Sequence, residues 1–100
     1  MKQNQNQKPN EFISADLSVD ITNPAPANGT DFQLRELQTM VGGFVEVLPL
    51  NDGRLMILNE DGKSLRLPIN ARATMLAAIE LSGLDSISGN VVVIQAKQLK

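Results

Sequence analysis

The chain has one hundred residues, a single-domain length, with a formal charge of −2 and 42% hydrophobic residues. Cysteine, histidine, tryptophan and tyrosine are all absent, which excludes a disulfide scaffold, a Cys/His zinc site, a haem or Fe–S site and a Cys- or His-based nucleophile–base pair. Nine Lys and Arg are scattered along a slightly acidic chain with three phenylalanines, which provides neither clustered phosphate neutralisation nor a base-stacking platform, so no nucleic-acid partner is expected.

Residues 1–11 are low-complexity Gln/Asn/Lys with a proline and are expected to be a disordered polar tail. No apolar run approaches the about 20 residues of a membrane span, and no apolar stretch follows the basic start, so the expected setting is cytoplasmic, without membrane contact. Residues 12–29 are expected to hold a strand and a linker. Leu17, Val19 and Ile21 alternate within 16–22, the period of a half-buried strand. Two prolines and a glycine then mark a turn or linker over 23–29.

A single α+β domain is expected over 30–96, followed by a short tail at 97–100. Thr30 with Gln33 predicts a capping box. Leu34, Leu37 and Val41 form one helical stripe, Asp31 and Arg35 can pair one turn apart, and Gly42-Gly43 supplies a helix stop. Two Asp-Gly turns, at 51–53 and 60–62, then join segments 44–50, 54–59 and 63–67 into an antiparallel three-strand meander. If Leu50 pairs with Arg54, Val47 faces Ile57 and Val45 faces Asn59. One sheet face then carries Val45, Val47, Leu55 and Ile57, and the other carries Phe44, Glu46, Leu48, Met56 and Leu58. Asn70 can cap a second helix over 71–81. Segment 91–96 is apolar at consecutive positions, which implies burial on both sides and a closing strand that could curl the sheet towards a barrel.

Several stretches resemble a small, uncharacterised bacterial and phage family that carries a domain-of-unknown-function label. They are Leu37-Gln38-Thr39-Met40-Val41-Gly42-Gly43-Phe44-Val45-Glu46-Val47, then Asn59-Glu60-Asp61-Gly62-Lys63, Leu67-Pro68-Ile69-Asn70-Ala71-Arg72-Ala73-Thr74 and Ser88-Gly89-Asn90-Val91-Val92-Val93. The resemblance implies a small α+β domain of the kind found on phages, plasmids and integrative elements, and it implies no activity. Phe44 stands where the family usually has Tyr, and Asn90 where an Asp is common; each departure removes a group that chemistry could have used.

The residues offer two candidate sites. Arg72 falls inside the expected Met75, Leu76, Ile79 stripe, where a guanidinium must snorkel out or find partners. Either its head bonds a carboxylate such as Glu46 or Glu60, or strand-end carbonyls, or it joins Asn70 and Thr74 near a helix N-terminus as a small-ligand or anion site. Asn70 and Thr74 also have plain roles as a cap and a side chain bonded one turn back. The second candidate is the apolar set Phe44, Leu48, Met56 and Leu58, which must be covered by the remaining helix, by a folded-over sheet, or by a protein partner or second copy.

Catalysis is not expected. Glu46 has no evident second carboxylate, Ser64 and Lys63 as strand neighbours would point to opposite faces, and the acidic turns do not match a calcium loop, so neither metal nor cofactor is implied. The expectation is a non-enzymatic accessory or interaction module, with ligand or anion binding as the alternative.

Overall fold

The computed structural model describes residues 8–83 and 85–100. Its sheet comprises β1 (Glu11–Ile13), β2 (Val45–Pro49), β3 (Arg54–Asn59) and β4 (Val91–Gln95). The strands run antiparallel in the order β1-β4-β3-β2. The helices are α1 (Leu34–Val41), α2 (Ala71–Leu76) and α3 (Ala78–Leu81), with a 3-10 turn at Ala96–Gln98. The class is α+β. The sheet is open, so the barrel-like closure does not form.

The two sheet faces are covered by different helices. On one, Phe32, Leu37 and Val41 from the α1 region pack with Ile57, Val92 and Ile94. On the other, Ala73 and Ala77 of the α2–α3 segment pack with Ile13, Met56, Val91 and Val93. Both apolar faces foreseen for β2 and β3 are therefore covered within the molecule along β3, while Val47 on the edge strand β2 stays 40% exposed. Met56 is fully buried, and Leu48 and Leu58 pack against the same core. Of the predicted interaction surface, Phe44 alone remains largely open, 68% exposed. That set is corrected to a core layer with an exposed aromatic at its margin.

The first hairpin has the predicted register, Val45 opposite Asn59 and Val47 opposite Ile57, closed by the Leu50 N–H donating to the Arg54 carbonyl at 2.8 Å. The third meander strand does not form. Residues 61–66 are a run of turns, and β4 takes the place beside β3 with Leu55 opposite Ile94 and Met56 opposite Val93. Burial decides between them. Val91, Val92, Val93 and Ile94 are all fully buried, and each such side chain is worth about 1.5–3 kcal/mol, whereas segment 63–67 offers Leu65 and Leu67 among charged and polar neighbours. Asn59 reinforces the exit from the sheet: its Oδ1 accepts from the Asp61 N–H at 2.8 Å and its Nδ2 donates to the Val41 carbonyl.

Near the N-terminus the expected strand is displaced. Residues 16–22 hold a turn in which Asp16 Oδ1 accepts from both the Ser18 N–H and hydroxyl, and Leu17, Val19 and Ile21 lie at the surface. The strand is Glu11–Ile13, within and just after the expected tail; Thr22 contributes a single bridge to Phe12. Residues 1–7 of that tail lie outside the described residues. Lys8, Pro9 and Asn10 are bonded to the domain: Gln95 Nε2 donates to the Lys8 carbonyl, Arg54 Nη1 to the Pro9 carbonyl and Asn10 Nδ2 to Gln98. The boundary drawn at residue 30 therefore falls inside one folded unit.

Helix α1 starts later than predicted. Gln33 rather than Thr30 is its N-cap, and Glu36 Oε1 accepts from the Gln33 N–H at 2.8 Å. Asp31 accepts from Asn28 and Gln33 in place of the expected partner Arg35. The helix stops at Gly42, which takes the left-handed conformation with φ 80°, as the Gly-Gly pair predicts. The second predicted helix is broken at Ala77 into α2 and α3. Its buried side is Ala73 and Ala77, which join the Met56, Val91 and Val93 cluster, and not Met75 and Ile79. No helix among the described residues is long and apolar enough to cross a membrane.

Candidate functional site

The Asn70, Arg72 and Thr74 trio comes from the first turns of α2, where the chain leaves a bridge between Ile69 and Ser88. Asn70 is fully buried and saturated. Its Oδ1 caps the helix by accepting from the Ala73 N–H at 3.0 Å, and its Nδ2 donates to the Ile13 carbonyl at 2.9 Å and the Gly89 carbonyl at 3.0 Å. Thr74 Oγ1 donates to the Asn70 carbonyl at 2.8 Å and accepts from the Ile87 N–H at 2.9 Å. Asn70 and Thr74 are thus brought together, but each polar atom serves the backbone.

Arg72 turns away from them. Its Nη2 donates to the carbonyls of Ser14, Asp16 and Val19 at 2.8, 3.1 and 2.9 Å, so one guanidinium end holds the whole 14–19 turn. The carbonyl-binding alternative describes this residue; Glu46 and Glu60 are not its partners. Among the described residues, Arg72 Nε is the buried side-chain polar atom left without a hydrogen bond. The trio is corrected from a ligand cradle to a joint between β1, α2 and the 85–89 segment.

A cleft of about 360 Å³ opens at the far end of the β2–β3 hairpin, a size within the range of side-chain and small-ligand pockets. Its floor is apolar, from Leu48, Leu58, Leu81 and Ile87. Its rim carries Glu46 and Glu60 on one side and Lys63, Asp85 and Ser86 on the other. Gly62 is required beneath it, since a Cβ there would stand 2.8 Å from the Ser88 carbonyl oxygen. Lys63 Nζ bonds Asp85 Oδ1 at 3.0 Å and the Ser86 carbonyl. The Ser86 N–H and the Lys63 ammonium hold the Asp85 carboxyl below the usual carboxylate range. Ser64 donates to the Asp61 carbonyl, and Glu46 is solvent-exposed.

Sequence reasoning missed this cleft and one buried charge. Arg54, in the strand after the first Asp-Gly turn, is nearly inaccessible, yet it bonds Asp52 at 2.8 Å, Glu11 at 3.1 Å and the Pro9 carbonyl at 2.7 Å. Burial alone would push the Asp52 carboxyl up, but the Arg54 hydrogen bonds and charge outweigh it and hold Asp52 below its ordinary value. The signal available in the sequence was an arginine placed one residue after Asp52-Gly53, close enough to return to that aspartate. No group of three or more acidic, His or Cys side chains among the described residues is placed to hold a metal ion.

The fold and these sites define a small α+β domain in which a four-stranded antiparallel sheet lies between helices. The chain belongs to the family described as a domain of unknown function, DUF3846, which it matches over residues 17–98. The strand β1 lies ahead of the matched region. Neither the curated proteins nor the solved structures contain a match to the chain.

Proposed function

We propose that the protein is a small non-enzymatic accessory module that works by binding another protein, in a cytoplasmic setting and of the kind mobile elements encode. The observation that supports this reading is an apolar surface beside Arg72. Met75 and Ile79, one turn apart on the outer side of α2–α3, are 77% and 71% exposed, and Leu17 on the turn bonded to Arg72 is 67% exposed. Arg72 precedes Met75 by one turn of helix, so its three carbonyl bonds draw the Leu17–Val19 turn alongside that face. Apolar area gathered on a small soluble domain marks an interaction surface more often than it serves stability. The ligand-binding alternative loses support because Asn70, Thr74 and one end of Arg72 are engaged by the chain's own backbone.

The test compares wild type with Met75→Gln/Ile79→Gln by a light-scattering concentration series and by capture of partners. Both substitutions keep good helix formers and touch exposed side chains, so the unfolding temperature should be unchanged. Wild type should form a specific complex that the double variant loses. A wild-type protein that stays monomeric and captures nothing overturns the reading.

A further inference from the structure

We infer that the cleft at the end of the β2–β3 hairpin receives the lysine or arginine side chain of a partner protein, an inference that rests on the protein-binding reading and names the chemistry of its partner. The argument begins with charge. Three carboxylates, Glu46, Glu60 and Asp85, line the cleft against one cation, Lys63, and that cation is already paired with Asp85. The side-chain carboxylates of Glu46 and Glu60 have no hydrogen-bond or ion-pair partner among the described residues. The register places Glu46 opposite Leu58 and, through the Glu60 N–H donating to the Phe44 carbonyl at 2.8 Å, Phe44 opposite Glu60.

Glu46 and Glu60 are therefore diagonal neighbours on one sheet face, a separation of about 7–8 Å that a single cation can bridge. Unpaired, two like charges so placed repel; a bound cation removes that cost. The floor of Leu48, Leu58 and Leu81 suits an aliphatic stem that carries its charge out to the rim, the habit of lysine and arginine on apolar surface. A protein is the favoured source because the cleft lies along β2, an edge strand whose outer backbone groups at Val45 and Val47 have no strand beside them in the sheet.

The test is a chemical-shift titration of the full chain with blocked pentapeptides that carry a central lysine, arginine or norleucine, and with n-butylammonium. A charged peptide should give saturable shifts at the Glu60, Gly62 and Ser88 amides and bind about tenfold more tightly than the norleucine peptide, with binding weakened by salt as exposed charge pairs require. Glu46→Gln/Glu60→Gln, both at exposed positions, should abolish that preference while amides elsewhere keep their positions. Equal binding of the norleucine peptide, retained preference in the double variant, or no saturable shift overturns the inference. Butylammonium binding as tightly as the peptides also overturns it, in favour of a small-amine site. Met75→Gln/Ile79→Gln should leave the titration unchanged, so a failure here is separable from a failure of the apolar surface.

Discussion

Asn70→Asp tests whether the trio on α2 is a structural joint or a ligand site. The substitution keeps the oxygen that caps the helix and replaces the NH₂ that donates to Ile13 and Gly89. A carboxylate oxygen would then face two carbonyl oxygens at a fully buried position. The Gly89 carbonyl is left without that donor at a cost of about 1–3 kcal/mol, while the Ile13 carbonyl, in the ladder pair with Val91, loses its second donor, and charge repulsion adds to the loss. Set against a domain stability of about 5–15 kcal/mol, that is a large fraction. Asn70→Ala loses the same two donors and the cap, the latter worth about 0.5–2 kcal/mol, but adds no charge.

The two variants also differ in pH dependence. The buried carboxyl in N70D has its pKa raised, so its charged form is penalised above that value. Protonation as pH falls from about 7 towards 4 restores one donor and narrows the deficit, whereas N70A shows no such recovery. Urea unfolding followed by far-UV circular dichroism is the assay, since the chain has neither Trp nor Tyr to report by fluorescence. An N70D protein within about 0.5 kcal/mol of wild type at neutral pH would refute the backbone role, because a surface position away from structural features behaves in that way.

Arg72→Ala should speed amide exchange across residues 15–20 while exchange in β3 and β4 changes little, because its three carbonyl bonds hold that turn and no core strand. Asp52→Asn should flatten the acid limb of the stability curve. The Asp52 carboxyl is held below its unfolded value, so its pairing with Arg54 contributes fully above about pH 3.9 and is lost as pH falls through the folded value below that. Denaturant midpoints between about pH 2 and 5 measure it, and a variant curve parallel to wild type over this window would refute the linkage. Gly62→Ala should lower stability by about 1–3 kcal/mol, since the neighbour that must yield is the Ser88 backbone carbonyl; an unchanged unfolding temperature would show that the segment can shift freely.

Features set by local chemistry were legible in the sequence. The Asn51-Asp52-Gly53 turn fixed the β2–β3 register, Gly42 ended α1, Asn70 capped α2, and four consecutive apolar residues at 91–94 announced a strand covered on both sides. Competition between distant segments was not legible. Leu17, Val19 and Ile21 alternate as a strand should, yet Phe12 and Ile13 pair with β4, and the alternating segment stays outside. Lys63–Leu67 had a turn signal and some strand character but lost its place beside β3 to the more apolar strand Val91–Gln95. The rotation of α2 was also hidden. The larger Met75 and Ile79 suggested the inward side, whereas packing against the sheet selected Ala73 and Ala77, and that choice sends Arg72 to the 14–19 turn instead of the core. Of the candidate trio, the capping and back-bonding roles could be read from residue type; the destination of Arg72 depended on where a remote loop lay.

The central position of β4 has a consequence for how the polypeptide comes together during synthesis. Its two sheet neighbours, β1 and β3, are both made long before it, and β1 has no other strand to join than β4. As the nascent polypeptide emerges, the β2–β3 hairpin can close early, but the N-terminal strand must wait until residues 91–95 leave the ribosome. Until then, one long edge of β3 and the apolar side chains of Phe12 and Ile13 stand open to mispairing. Such distant pairing slows folding, and it makes the emergence of β4 the step at which the four-stranded sheet is completed.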